Sequence, residues 1–423
     1  MLFLLLSLVA APADTLDLSL ASALELAGHK SPARVEARVA RFQSGLSAVK
    51  AGAALLPSAS GNLGWAKTET RSPFNPDSLV TVEGWNGSLT LAQVVFDPAV
   101  FGSVAGSIVY AGYYAADARD KQARLVYDVT AGYLGLLRAR LLRDAAASAL
   151  ERAGDNLLLA RERERLGAAA GIEVMRAEVA RSQAEMDLLS SDKALAAVNA
   201  AFLAAAGITE RVVVRPTEEL SAPSGFAFGD SDSLVAEIER RNPTLKMADK
   251  SRAAARIGVV AAAARVLPSV SLYWSSNYSD SSFPTVGSWR DHDAVTRGIE
   301  FSFPLLDIKT FVLNLADAGA QSRLARAGAE RARLTLRATA TAAVLDFSEA
   351  RQRYDVARRN LELSRELLRL ADEQRRLGSL SMFEYLSVET GLAAAQASYV
   401  GALADTYIKA AQITYLLGRT DAP

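Results

Sequence analysis

The sequence predicts a mixed α and β protein built as two tandem copies, each pairing a two-faced strand hairpin with a very long helical hairpin. Three observations carry this. The chain repeats itself at a constant displacement of 211 residues: Ser31-Pro32 returns as Asn242-Pro243, Leu56-Pro57-Ser58 as Leu267-Pro268-Ser269, and Arg165-Leu166-Gly167 as Arg376-Leu377-Gly378. Its prolines leave two long runs bare, from Pro98 to Pro216 and from Pro304 to Pro423. Between the helical stretches the apolar period shifts from about 3.6 to 2. A repeat this long marks a duplicated structural half, since solenoid repeats run to only about 20 to 50 residues.

The chain opens with Met1-Leu2-Phe3-Leu4-Leu5-Leu6 and reaches Ala11-Pro12-Ala13, an apolar run ending in a small-x-small pattern. Residues 1–13 read as a secretory signal, with a buried terminus as the other reading because a basic leading region is missing. With no cysteine, disulfides, thiolate zinc sites and a lipidated N-terminal cysteine are excluded. A formal charge of zero points to neither nucleic acid nor an anionic surface. No later stretch holds 18 uninterrupted apolar residues, so a membrane crossing would be made by strands.

In the first copy, residues 14–207, Ser31 is placed to cap a helix with Pro32 at its first position and Glu36 in its first turn. Val35, Val39, Phe42, Leu46, Val49, Ala53 and Leu56 form one apolar seam that Pro57 ends. The second copy, residues 234–423, keeps Ala253, Ile257, Val260, Ala264 and Leu267 but places Lys246 and Lys250 on the early seam. Strand hairpins follow at about 57–96 and 268–305. Ala59, Gly61, Leu63 and Trp65 alternate with Ser58, Ser60, Asn62 and Gly64, and Trp85, Leu89, Leu91 and Val95 with Asn86, Ser88, Thr90 and Ala92. In the second hairpin Val270, Leu272, Trp274 and Tyr278 oppose Ser269, Ser271, Ser275 and Asn277, and Ile299, Phe301 and Phe303 oppose Gly298, Glu300 and Ser302. All four tryptophans, Trp65, Trp85, Trp274 and Trp289, fall in these hairpins. The alternation fits a lipid-facing exterior with aromatic girdles and a wet lumen, and it fits a sheet on a soluble core as well. The turns, Arg71 to Leu79 and Ser279 to Val295, are expected to be long.

Long helical hairpins are expected at about 99–206 and 307–418, because proline costs about 3 kcal/mol inside a helix and none is present. A heptad runs through Leu136, Ala139, Arg143, Ala146, Leu150, Ala153, Leu157 and Ala160 to Gly167, and another through Val356, Leu363, Leu367, Leu370 and Leu377. An unbroken helix from residue 100 to 165 would reach roughly 100 Å. The run Arg161-Glu162-Arg163-Glu164-Arg165 reads as a solvated face with i, i+4 pairing. Residues 208–233, rich in Val, Pro, Ser and Gly, read as the connector. The two histidines, His29 and His292, stand alone without a ligand set or nucleophile, and no glycine-rich phosphate cradle follows a strand. No enzyme, cofactor or metal site is indicated.

The order of these pieces resembles one family, the TolC-like outer membrane efflux proteins. The resemblance rests on Asn242-Pro243, Val259-Val260-Ala261-Ala262, Leu267-Pro268-Ser269-Val270 and Phe303-Pro304-Leu305-Leu306-Asp307. It rests also on the tip segments Arg165-Leu166-Gly167 to Glu173-Val174 and Arg376-Leu377-Gly378 to Glu384-Tyr385-Leu386. It implies a homotrimer in which each chain gives four strands to one twelve-stranded β-barrel in outer membrane lipid, continued into the periplasm of a Gram-negative bacterium by an α-helical coiled-coil barrel. It also implies a passive exit duct for efflux or type I secretion, joined by a periplasmic adaptor (membrane fusion) protein to an inner membrane transporter. By the same resemblance Leu166, Gly167, Leu377 and Gly378 are the adaptor-docking tips. Glu384 matches one acidic position of the periplasmic aperture, and Ser387 stands where the family's second acid is usual. Glu173 is the acid of the first copy, facing Arg375 as a latch. The competing reading is a non-conducting periplasmic coiled-coil scaffold.

Overall fold

The structure is a computed structural model that describes residues 15–72, 75–167, 170–218, 230–303, 308–377 and 379–420. The expected signal at 1–13, Gly378 and the segment Pro304-Leu305-Leu306-Asp307 lie outside these residues. The chain runs twice through one succession of elements. The first pass is β1 (Thr15–Leu18), α1 (Leu20–Lys30), α2 (Pro32–Ala53), β2 (Ser58–Ser72), β3 (Asn75–Phe96), α3 (Pro98–Arg165) and α4 (Gly171–Ala206). The second is β4 (Val213–Pro216), α5 (Ser231–Arg241), α6 (Pro243–Ala264), β5 (Ser269–Asp280), α7 (Val286–Asp291), β6 (Asp293–Ser302), α8 (Ile308–Arg376) and α9 (Met382–Leu416). Two compact units result, a helical unit (Met1–Val39, Asp117–Leu245, Arg333–Pro423) and a sheet unit (Ala40–Ala116, Lys246–Ala332).

The helical unit has one apolar core for each copy. In the first, Ala23 and Ala27 of α1 pack with Val129, Tyr133 and Leu136 of α3 and Phe202 and Ala206 of α4. In the second, Leu234 and Ile238 of α5 pack with Ala340, Ala343 and Phe347 of α8 and Ala410 and Ile413 of α9. Sequence reading did not separate α1 and α5 from what surrounds them. It also took residues 208–233 as plain connector, whereas β4 pairs there in parallel with β1, from Thr15↔Val213 to Leu18↔Pro216. Four-residue strands are too short to announce a period.

The repeated Ser/Asn-Pro motif is a tie between helices. Ser31 Oγ donates to the carbonyl of Ala205 at 3.2 Å, and Asn242 Nδ2 donates to that of Leu416 at 2.9 Å. Each therefore satisfies a carbonyl that a helix end leaves without an intrahelical partner. Gly207 (φ 73°) and Gly418 (φ 65°) turn the chain at those ends. A Cβ on Gly207 would stand 2.6 Å from Ser31 Cα, and one on Gly418 would stand 2.8 Å from Pro243 Cδ. Only glycine meets both the backbone angle and the close approach.

In the sheet unit β2, β3, β5 and β6 form one antiparallel sheet in that order. The expected long turn at Arg71–Leu79 is not there. β2 and β3 stay paired through Arg71↔Leu79 and Ser72↔Asn75. Beyond Trp85, where β5 ends opposite at Asp280, they continue as a two-stranded ribbon, whose ladder satisfies the backbone groups a loop would leave to water. The second turn is long as expected, running from Asp280 to Asp293, and it contains α7. Thr285 and Ser288 cap α7 reciprocally.

The two heptads meet opposite fates. On α3 the seam is core: Leu136, Ala153, Leu157 and Ala160 are buried. On α8 it is bare, with Val356, Leu363, Leu367, Leu370 and Leu377 between 41% and 83% exposed. Along this stretch α8 buries instead Tyr354, Ala357, Leu361 and Ala371. The seam of α2 is also open at Val35, Val39, Phe42 and Val49. By length and composition alone α3 and α4 each hold an 18-residue window apolar enough to cross a bilayer. Alanine interspersed with polar residues supplies that apolarity, which is why no uninterrupted run marks it.

Candidate functional site

The sheet presents two chemically separate faces, because directly paired residues point to the same side and neighbours along a strand alternate. Rows across the strands read Ala59, Leu91, Trp274; then Gly61, Leu89, Ser276; then Leu63, Gly87, Tyr278; then Trp65, Trp85, Asp280. The opposite face reads Ser60, Thr90, Ser275, then Asn62, Ser88, Asn277, then Gly64, Asn86, Ser279. One side is mainly aromatic and aliphatic, with Ser276 among its rows and Asp280 at its far end; the other is small and hydrophilic. Trp289, which lies on α7 and outside the strands, joins the apolar side. Its Nε1 donates to Ser276 Oγ at 2.8 Å, and its ring stacks on Tyr278 at 5.3 Å between centroids. Gly87 makes room for it, since a Cβ there would stand 2.5 Å from the indole. All four tryptophans thus share a face.

In the helical unit the two hairpins turn at Leu166-Gly167 and at Leu377. Gly167 has φ 71°, the left-handed conformation anticipated for a turn glycine. Leu166 and Leu377 are 71% and 83% exposed, so each hairpin offers one uncovered leucine at its tip. Glu384 serves as a helix cap. Its carboxylate accepts from Ser381 N at 3.0 Å and Ser381 Oγ at 2.8 Å, while its own N–H donates to Ser381 Oγ at 3.2 Å. This reciprocal box starts α9, and the Ser381 hydrogen bonds hold the Glu384 carboxyl below the ordinary range. The Ser-x-x-Glu spacing was available in the sequence as a cap signal. Ser387 is exposed and Glu173 half-buried.

The expected pair of Arg375 with Glu173 does not form. Among the described residues no ion pair joins them, and Arg375 is occupied elsewhere. Its Nη1 donates to Asn156 Oδ1 of α3 at 2.8 Å, and its guanidinium lies over the Tyr385 ring at 4.0 Å. Asn156 Nδ2 in turn donates to Glu389 Oε2 of α9 at 2.7 Å, and Arg152 Nε stands 3.4 Å from Glu389 Oε1. Tyr385 donates to Asp372 at 3.0 Å. One half-buried network centred on the buried Asn156 therefore ties α3 to α8 and α9. Burial pushes the Glu389 carboxyl up despite Arg152, Asn156 and Arg375 pulling it down. It pushes the Tyr385 hydroxyl up to about 12. Sequence reading missed Asn156 and Arg152 because a contact between helices distant in sequence leaves no periodic trace.

Two grooves lie on opposite faces of α9. Ser398, Gly401 and Asp405 line one of about 940 Å³, where Arg138 meets Asp405 at 3.1 Å and Lys409 meets Asp346 at 2.7 Å. Gln396, Tyr399 and Leu403 line the other, of about 540 Å³, together with Leu137 and Leu141 of α3. At 100° per residue Glu384 and Ser387 continue the stripe of Gly391, Ala394, Ser398 and Asp405, so they share the charged groove's face. Among the described residues no group of His, Cys, Asp and Glu is arranged to hold a metal ion.

The family model of outer membrane efflux proteins matches residues 234–419. No curated protein matches the chain in sequence. Among solved structures, the CmeC outer membrane channel of Campylobacter jejuni is 15% identical, with a TM-score of 0.82 over 94% of this chain and 85% of that one. The outer membrane protein VceC of Vibrio cholerae is 18% identical, with a TM-score of 0.77 over 95% and 97%. The open state of the MtrE outer membrane channel of Neisseria gonorrhoeae is 16% identical, with a TM-score of 0.77 over 96% and 90%.

Proposed function

From the premise that residues 234–419 are an outer membrane efflux protein sequence and that the chain has the fold of TolC-like channels, we propose that it is the trimeric outer membrane exit duct of a tripartite efflux or type I secretion system. It conducts passively. An inner membrane transporter supplies the energy and a periplasmic adaptor couples the two.

The observation that carries this reading is the two-faced sheet with open edges. Bulky apolar side chains on one side and Ser, Asn, Thr and Gly on the other suit a strand layer between lipid and water. β2 and β6 are its edges, and four strands close no membrane barrel, whose smallest forms have about eight. β2 and β6 run antiparallel to one another, so three copies joined edge to edge keep an unbroken antiparallel order of twelve strands. Open edges in hydrocarbon would leave backbone groups without partners.

Two unpartnered seams support the same assembly. Ile172, Met175, Val179, Met186 and Leu189 of α4 are 52% to 70% exposed at heptad spacing, matching the bare heptad of α8. A ring in which α4 of one copy packs on α8 of the next would cover both. The internal order of elements supports an origin by tandem duplication, with residues 14–207 and 234–423 as its copies.

The finer roles follow the same reading. Leu166, Gly167, Leu377 and Gly378 dock the adaptor. Trp65, Trp85, Trp274 and Trp289 form the aromatic girdle. Glu384 and Ser387 line the periplasmic aperture, with Glu173 near it and Arg375 acting in its network with Asn156. Three Glu384 carboxylates brought together on the threefold axis would repel one another, which favours cations and opposes tight closure. Planar-bilayer conductance of purified protein tests the whole. Stepwise channels from a detergent-dependent trimer are expected. A monomer that stays soluble without detergent and passes no current would leave the scaffold reading in its place.

A further inference from the structure

Near the end of the sheet that leads to the helices one charged residue stands among hydrophobes on the apolar face, whose other charges, Asp293, Asp280, Glu83, Lys67 and Glu69, lie toward the far end. Arg297 of β6 pairs directly with Trp274 of β5, and it follows Ile299 and Phe301 on the same side of its strand. It is exposed. Among the described residues it makes no hydrogen bond or ion pair, unlike Arg138, Arg152 and Arg375 of the helical unit. Beside it runs a shallow groove of about 490 Å³, walled by Leu91, Trp274 and Arg297 along one row and by Leu272 and Ile299 along the next. Tyr273 and Gly298 also line it. They point to the hydrophilic side, so their backbone forms the floor.

A guanidinium on a lipid-facing strand is costly unless an anion meets it. Within one chain no carboxylate does. In the proposed trimer β2 of the next copy adjoins β6, and the residues that β2 carries on this face in the rows near its start, Ala59, Gly61, Leu63 and Trp65, bring none, the first carboxylate on it being Glu69 toward its far end. Resting on the reading of this sheet as a bilayer-spanning layer, we propose that Arg297 and Trp274 bind the phosphodiester of a phospholipid in the periplasmic leaflet, whose acyl chain lies in the groove along Leu91, Leu272 and Ile299. The register favours that leaflet: Arg297 shares its row with Trp274, Leu91 and Ala59, and Ala59 is the second residue of β2, at the end of the sheet that leads to the helices. A long side chain reaches the near headgroups from there by extending along the surface, with its stem against apolar neighbours. Lipid A phosphates lie in the far leaflet. Arg suits the task because its planar fork meets two phosphate oxygens at once.

The test uses the full-length protein in a non-ionic detergent, titrated with dioleoylphosphatidylglycerol, with dioleoylglycerol and with lipid A, and read by native mass spectrometry. Phosphatidylglycerol adducts are expected on the wild type, weaker by at least about five-fold in R297Q and within about two-fold in R297K. Unchanged phosphatidylglycerol binding in R297Q overturns the proposal. So does equal retention of dioleoylglycerol, which lacks the phosphate, or a preference for lipid A, which would move the site to the other leaflet. Bilayer conductance is measured on the same R297Q sample. Channels without the lipid effect sink this site and leave the exit-duct reading standing, whereas wild-type protein that forms no channels removes both.

Discussion

Asn156 joins two charges of the second hairpin through the two ends of one amide, accepting from Arg375 and donating to Glu389. That buried bridge fixes the orientation of the amide, and it gives Glu389 an unusual pH response. Its folded pKa is raised by burial, so its contribution to stability is present below the ordinary carboxylate value and is lost as pH rises through the raised value. Acidification from neutral pH toward about 4.5 therefore tightens the junction of α3 with α9. We expect the wild type to gain melting temperature over that window relative to Glu389→Gln. Parallel melting curves of the two proteins across the window would exclude Glu389 as the titrating group. Glu384 separates a structural from an electrical role. Glu384→Gln keeps the acceptor of the reciprocal cap with Ser381, so its melting temperature should be nearly unchanged, while the cation preference read from single-channel reversal potentials should fall. An unchanged preference removes Glu384 from the aperture.

At the level of elements, identical periodicity led to opposite burial. The heptad on α3 is covered within the chain, and the one on α8 lies open beside α9. Period 3.5 specifies that a helix face wants a partner, not which partner, and the choice depends on where neighbouring helices are placed. If α8 packs on α4 of a second copy, Leu363→Gln with Leu367→Gln should weaken the trimer by about 2 kcal/mol per side chain at each interface, with each chain's own core untouched. Size-exclusion chromatography with light scattering would then show monomers at concentrations where the wild type is trimeric. A trimer of unaltered stability would assign this seam to something other than self-association. The strands were the more legible elements. Ser60, Asn62, Ser88 and Thr90 opposite Leu63, Trp65, Leu89 and Leu91 fixed the faces before any pairing was known, because a strand's period of 2 leaves no freedom once one face is apolar. Turn lengths were less legible. The ribbon through Arg71↔Leu79 replaces a loop, since turn-forming residues near its tip tell only that a reversal occurs, and hydrogen bonding decides how far the ladder runs.

For the molecule as a whole, the proposed trimer would supply what one chain lacks: strands to cover β2 and β6 and helices to cover α4 and α8. The amino-acid sequence by itself determined the tandem order, the long helices and the two-faced hairpins, and it marked Gly167 as a turn residue. These follow from local rules, namely proline exclusion, apolar period and the backbone freedom of glycine. Tertiary structure alone decided the partners of Arg375, the parallel pair of β1 with β4 and the approach of Trp289 to Gly87. Each depends on residues far apart in the chain meeting at hydrogen-bond or van der Waals distance. Such contacts are selected by the packing of whole elements, and pattern along one strand or helix carries no record of them.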